Sequence, residues 1–270
     1  MDFSKVSSSA EIEVDDVTIA FDTPKGQVVA VDRASFQVRS GEFVCLLGPS
    51  GCGKSTLLNA MAGFEKPYAG MVKMTGAEIQ GPGPDRGMVF QQPFLFPWKN
   101  VRSNIMHGPR MLGKTAEEAG EIADELIGMI GLSRFALAYP HTLSGGMQQR
   151  VAIARAMANK PEVLLMDEPF GALDAQTRIV MQENLLDLWE KTHTTIVFVT
   201  HDIEEAIFLA DRILVMSVGP GRIKETINVD LPRPRSDEIL AKPEYLTIKK
   251  QCLDLIRAES LRAFEKSSER

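Results

Sequence analysis

The chain has 270 residues, 44% hydrophobic and 24% charged, with a formal net charge of -6. That is enough chain to bury a substantial core in one large domain or two lobes, and the acidic balance argues against a nucleic-acid surface, which needs a basic face. Three cysteines, Cys45, Cys52 and Cys252, with no Cys-x-x-Cys spacing, argue against a disulfide framework or a zinc site and suit a reducing compartment.

The N-terminal stretch MDFSKVSSSAEIEV holds no apolar run of the kind that marks a secretory signal. The longest apolar runs, such as IVFV and VLLM, fall far short of the ~20 residues a membrane span needs, so a soluble chain is expected. Ile12–Phe21 then reads as a strand, DTPKGQ as a turn, and VVAVDRASFQV as a second strand. Phe43–Gly48 is a short continuous apolar run, the pattern of a strand buried on both faces, and a helix should follow from Lys54 to about Gly63. Between about Pro97 and Asn159 strand patterns vanish, and Ala119, Ile122, Ala123, Leu126 and Ile130 recur at helical spacing. Buried-strand patterns return at Val163–Asp167, Thr195–Thr200 and Arg212–Gly219. Buried strands alternating with helices predict a parallel α/β sheet, interrupted by a helical insertion. After LPRPR (Leu231–Arg235) the chain leaves the core, and a last helix is expected from about Pro243 to Phe264, followed by a polar tail.

GPSGCGKST (Gly48–Thr56) fits G-x-x-x-x-G-K-[ST] and stands where that motif must, between a buried strand and a helix. Gly48, Gly51 and Gly53 allow the backbone to curl with its N–H groups facing phosphate oxygens, and the helix start adds partial positive charge. Lys54 is placed to reach the β- and γ-phosphates, and Ser55 to bind Mg²⁺ through its hydroxyl. In VLLMDEP, Asp167 ends a buried strand and suits the Mg²⁺ water shell, while Glu168, on a turning backbone, can face the γ-phosphate and polarise a water. His201 ends the buried run TIVFVT, at the sheet edge where ligands bind, and can hydrogen-bond the γ-phosphate and the attacking water. His107, His141 and His193 lie in polar or irregular contexts and receive no role.

LSGGMQQR (Leu143–Arg150) sits just before a helical pattern and contains no nucleophile or metal pair. Ser144 can cap the helix, and Gly145 and Gly146 leave its N-terminus bare, which makes a second anion site. One chain with one nucleotide needs no second site, unless that site serves a nucleotide held by another copy.

With that motif the chain resembles the ATP-binding subunit of an ABC transporter, from about Ile12 to Pro234. The resemblance implies a P-loop NTPase of the ABC ATPase type. It would have a RecA-like parallel-sheet core, an N-terminal antiparallel β subdomain and an inserted helical subdomain at about 97–159. The ATPase domain would span 10–234 and a C-terminal helical extension 235–270. The resemblance also implies that two copies pair head to tail. Each ATP, with its Mg²⁺, would lie between Gly48, Pro49, Ser50, Gly51, Cys52, Gly53, Lys54, Ser55 and Thr56 of one copy and Ser144, Gly145 and Gly146 of the other. Gln91 matches the family's Q-loop glutamine, which senses Mg²⁺ and water; Asp174, in GALD, matches the loop that communicates across the dimer; His201 matches the switch histidine. Phe21 stands where the family stacks an aromatic on adenine, although tyrosine is common there; stacking needs only the π face. Met147 replaces a common glutamine beyond the phosphate-facing glycines, so ATP binding should survive it.

In such a transporter the motion passes to membrane-spanning permease subunits through a groove beside the Q-loop, here Gln92–Val101. Phe94, Phe96 and Trp98 either accept a short coupling helix or pack the helical lobe. FLFPW, the compact length and LPRPR resemble the branch that imports nitrate, sulfonate, taurine or bicarbonate, with importers of thiamine precursors an alternative. A separate binding protein would choose the cargo, and the chain would sit at the cytoplasmic face of a bacterial-type inner membrane. A soluble ABC-type ATPase of DNA repair or translation is the rival class, but it needs a long coiled-coil insertion or a second cassette, and neither is present. A small-molecule kinase would leave LSGGMQQR and Asp174 unexplained.

Overall fold

The computed structural model describes residues 12–24, 26–171 and 173–268; the expected domain start at residue 10 and the end of the polar tail lie outside them. β1 (Ile12–Thr23) and β2 (Gly26–Val38) form a long antiparallel pair, with Ile12 opposite Val38 and Thr23 opposite Gly26. The turn between them is therefore tighter than DTPKGQ suggests. β3 (Phe43–Leu47) is buried along its whole length and feeds α1 (Lys54–Ala62), which stops at Gly63 in a left-handed C-cap. β4 (Ala69–Met74) pairs with β1 and with β5 (Ala77–Glu78), giving an antiparallel sheet in the order β2-β1-β4-β5.

β6 (Arg86–Val89) comes next, followed by α2 (Val101–Met111), α3 (Ala116–Met129) and α4 (Gly145–Met157). Each helix has its own start signal. Asn100 caps α2 by accepting from Ser103 N at 2.8 Å, and Thr115 and Glu118 form a reciprocal capping box on α3. The helical spacing at Ala119, Ile122, Ala123 and Leu126 is the buried face of α3; Ile130 is its C-cap. β7 (Val163–Asp167) and α5 (Ala175–Thr192) follow. β8 (Thr195–Thr200), α6 (Ile203–Leu209), β9 (Arg212–Met216), β10 (Ile223–Asn228) and α7 (Pro243–Ser268) complete the chain, so the last helix runs past Phe264.

These elements form two compact units: Pro84–Thr194, and the described residues up to Gly83 together with those from Thr195 onward. In the second, β3 lies between β8 and β9, parallel to both, and β10 closes the edge antiparallel to β9. In the first, β6 and β7 run parallel, with Val89 beside Met166. Every residue of β3 and β8 is buried, and each fully buried apolar side chain contributes about 1.5–3 kcal/mol.

Four strands escaped the sequence reading. β4 buries only Val72 and Met74, and β10 only Ile227, so neither carries a periodic apolar signal. β5 has just two residues. β6 holds Gly87, whose missing side chain admits the Leu164 methyl; a Cβ there would lie 2.9 Å from it.

Candidate nucleotide-binding site

The phosphate loop grows out of β3. Gly51 (φ 79°) and Gly53 (φ 94°) adopt the left-handed conformation that side chains resist. A Cβ on Gly53 would stand 2.9 Å from the Ala30 carbonyl, whereas Gly51 faces open space. Gly53 leaves the start of α1 without a side-chain cap, and a helix N-terminus is where an anion is favoured. Lys54 is only 4% exposed and donates to Gly48 O at 2.8 Å and Pro49 O at 3.0 Å, holding the ammonium under its own loop. Cys52 turns inward, and its N–H donates to Pro49 O at 3.3 Å. Ser50, Gly51 and Ser55 are outward, while Pro49 and Thr56 are half-buried. Hydroxyl and carboxylate oxygens, as on Ser55 and Asp167, are the hard donors that suit Mg²⁺.

In the same unit Leu47 pairs with Thr200 across β3 and β8, so the phosphate loop and His201 leave parallel strands at one end. That is the carboxyl edge where α/β sheets bind ligands. His201 is exposed on a turn pinned from both sides. Thr200 Oγ1 donates to Glu205 and accepts from Asp202 N at 3.0 Å, and Asp202 caps α6 through Glu204 N and Glu205 N at 2.9 and 3.2 Å. Phe21, opposite Val28 in β2, is 38% exposed and so does not serve the core.

In the other unit the β6–β7 register brings Gln91, Asp167 and Glu168 out at one end. Glu168 has φ 42°, an uncommon conformation for a side chain with Cβ. This breaks the strand alternation that would turn it away from Asp167. Gly171 sits between two polar ends: a Cβ on it would lie 3.5 Å from Gln91 Nε2 and 3.9 Å from Glu168 Oε2. Gln91 is exposed and both acids are half-buried.

The start of α4 is capped by Ser144, whose Oγ accepts from Met147 N at 3.3 Å. The two glycines differ. Gly145 has open space where a Cβ would go, while a Cβ on Gly146 would lie 2.8 Å from the Thr177 methyl. Thr177 is fixed in turn: its hydroxyl and N–H donate to the Asp174 carboxylate at 2.7 and 3.0 Å, capping α5. The Thr177 N–H and then its hydroxyl hold the Asp174 carboxyl below the usual carboxylate range. Ser144, Met147, Arg150, Gln176, Thr177 and Val180 line an open cleft of about 360 Å³.

The Gln-Gln-Arg run anchors this helix. Gln148 donates to Pro140 O and Leu143 O at 3.0 and 3.2 Å, buried Gln149 to Phe90 O at 3.2 Å, and Arg150 to Ile130 O at 2.9 Å. Gln149 thus ties the helix to the residue before Gln91, a contact 59 positions apart that no local pattern announces.

The aromatic run separates by residue. Phe96 is half-buried, its ring 4.7 Å from that of His107, with Lys99 Nζ at 5.1 Å and the Arg155 guanidinium at 5.5 Å. Phe94 is 63% and Trp98 71% exposed. Packing therefore accounts for Phe96 and leaves Phe94 and Trp98 on the surface. No described helix is long and apolar enough to cross a membrane.

The family model described as ABC transporter matches residues 31–171. The chain is 44% identical over 252 residues to the nitrate import ATP-binding protein of a Synechocystis species, covering 91% of this chain and 95% of that one. It is 46% identical over 237 residues to the taurine import ATP-binding protein of Ruegeria pomeroyi, covering 84% of this chain and 88% of that one. A dimeric ATP-binding cassette, solved in a post-hydrolysis state with ADP and phosphate, superposes with a TM-score of 0.72 at 33% identity, covering 82% of this chain and 100% of that one. The chain belongs to the ABC transporter family of ATP-binding proteins and has the ABC ATPase fold.

Proposed function

We propose that the chain powers the import of a small anion or organic solute, of the class that includes nitrate, sulfonate, taurine and bicarbonate. The observation that carries this reading is the likeness to nitrate and taurine import ATP-binding proteins over more than four-fifths of the chain. Two copies pair head to tail. The loop Gly48–Thr56 of each holds the phosphates of one ATP, Phe21 stacks on its adenine, and Ser144, Gly145 and Gly146 of the other copy close over it. Ser55, Gln91 and Asp167 would hold Mg²⁺, which when bound neutralises phosphate charge. Glu168 accepts a proton from the attacking water, His201 donates a hydrogen bond at the γ-phosphate, and Asp174 reports across the dimer.

ATP bridges the copies and therefore favours the closed dimer; loss of phosphate removes the bridge and the dimer reopens. Permease subunits receive this motion at Phe94 and Trp98, which places the protein at the cytoplasmic face of the membrane, with a binding protein selecting the cargo outside. The test is purification of the tagged chain from gently solubilised native membranes. Co-purification of a multi-span permease and a solute-binding protein, with calorimetry of that binding protein against nitrate, taurine, an alkanesulfonate and bicarbonate, is the expected result. Recovery of soluble partners alone from well-extracted membranes overturns it.

A further inference from the structure

Asn104 is the fourth residue of α2 and is 0% exposed. A buried carboxamide must find partners for both its oxygen and its amide hydrogens. Those of Asn104 all lie in the segment Phe96–Asn100. Its Oδ1 accepts from Phe96 N at 2.8 Å, and its Nδ2 donates toward Phe96 O, Lys99 O and Asn100 O at 3.2, 2.9 and 3.1 Å. One side chain therefore binds both ends of a five-residue loop. Asn100 closes the same turn by capping α2. From the other side, Arg155 of α4 donates to Phe94 O at 2.7 Å and Pro93 O at 3.0 Å. Phe94 is held at φ 43°, a conformation that costs energy for an aromatic residue.

The result of this bracing is an unusual surface. Side chains of Asn104 and Arg155 tie the backbone between residues 93 and 100 at six atoms, and of its aromatic rings Phe96 is half-buried while Phe94 and Trp98 are exposed. Each ring meets one aromatic neighbour, Phe94 edge-on to Phe90 at 5.6 Å and Trp98 tilted on Phe96 at 5.7 Å, and these contacts still leave Phe94 63% and Trp98 71% exposed, so the bracing holds rings that are mostly open to solvent. Rigid aromatic anchors held in their bound geometry do serve association, because the ordering cost has been met before the partner arrives.

We propose that Asn104 is a positioning residue for the docking face: it fixes the loop that presents Phe94 and Trp98 to an apolar helical segment of the permease. This rests on the transport reading above. Asn104 touches neither nucleotide nor permease; it acts through the loop backbone. Asn104→Asp keeps the acceptor but turns a second oxygen toward three carbonyls, so the loop is released. Asn104→Ala removes both interactions and leaves room for the helix to remain intact.

The first measurement uses the isolated chain. Its two tryptophans are Trp98 and Trp189, so a Trp189→Phe background leaves Trp98 as the sole reporter. Trp98 anisotropy should fall in both Asn104 variants while the ATP-bound melting transition stays cooperative. Unchanged anisotropy overturns the proposal. The second measurement uses the complex with its own permease in native membranes and reads the ratio of transport-coupled to basal ATPase activity. That ratio should fall about tenfold in the Asn104 variants and in the Phe94→Ala/Trp98→Ala double variant. If the double variant lowers the ratio and the Asn104 variants do not, Asn104 has no positioning role in coupling. If the double variant keeps the ratio, the docking reading itself fails, and the anisotropy still decides whether Asn104 orders the loop.

Discussion

Two helix starts in this chain look alike in sequence, each opened by glycine and serine, but they are built for different tasks. The start of α1 has left-handed glycines, no side-chain cap and a buried lysine lying under the loop. The start of α4 has a serine cap already bonded to Met147 N, one packed glycine, one open glycine and no lysine within its first turn. A helix N-terminus alone offers an anion about half a unit of charge. The α1 start adds a full cation, Lys54, which suits the proposed hold on a polyphosphate. The α4 start has no cation in its first turn, and Arg150 in the cleft beside it donates to Ile130 O, which suits the proposed contact with a phosphate that another copy holds. On the proposed function, this difference accounts for two such ends in one chain without two independent nucleotide sites.

The largest effect is expected at the hydrolysis that both helix starts are proposed to serve. Glu168→Gln keeps the shape of the strand end but removes the proposed proton acceptor. Hydrolysis should fall by about 10²–10⁴-fold, the usual worth of a general base, while ATP still binds and closes the dimer. Phosphate release and sedimentation with ATP measure the two effects. Hydrolysis at the unmodified rate would show that the base lies elsewhere.

Lys54→Ala removes what distinguishes the α1 site. A charge-assisted hydrogen bond is worth about 1.5–3 kcal/mol, so ATP affinity should drop roughly 10- to 150-fold by fluorescent-nucleotide titration. Unchanged affinity would make the two helix starts equivalent and end the distinction. Ser144→Arg acts on the other end. Its bulk should leave ATP affinity within about twofold but abolish ATP-dependent pairing in analytical ultracentrifugation, since the obstacle meets only the partner's nucleotide. Normal pairing would remove the reason for the α4 site.

The pattern of what the sequence revealed follows from the same physics. β3, β7, β8 and β9 were legible because buried strands are continuous apolar runs, and the phosphate loop because its glycines, lysine and serine are contiguous. β10 was not, since an edge strand that buries only Ile227 reads as polar text. Thr177, Gln149 and Asn104 were missed for another reason. Their roles are contacts to Gly146, Phe90 and the Phe96–Asn100 loop, and threonine, glutamine and asparagine carry no local mark of such a partner. The left-handed backbone of Glu168 was equally hidden, although the need for a turn after Asp167 was readable from the end of the strand.

The finest test divides the two glycines of α4. In Gly146→Ala the new methyl would press on the Thr177 methyl, and Thr177 cannot rotate away without giving up its hydrogen bond to Asp174. Overpacking of this kind costs about 1–3 kcal/mol. At roughly 2–4 °C per kcal/mol for a chain of this size, the midpoint should fall by several degrees even without nucleotide. Gly145→Ala meets nothing, and alanine is the better helix former, so the unliganded midpoint should hold or rise by the equivalent of at most about 1 kcal/mol. Its cost should appear only when ATP is added, as weaker dimerisation, because the proposed pairing brings the other copy's phosphate into the open space at Gly145. A rise in thermal stability together with a loss of ATP-dependent pairing cannot come from a packing defect. If Gly145→Ala pairs as well as the unmodified chain, Gly145 is bare for reasons of helix entry alone, and Ser144 and the helix dipole must carry the contact.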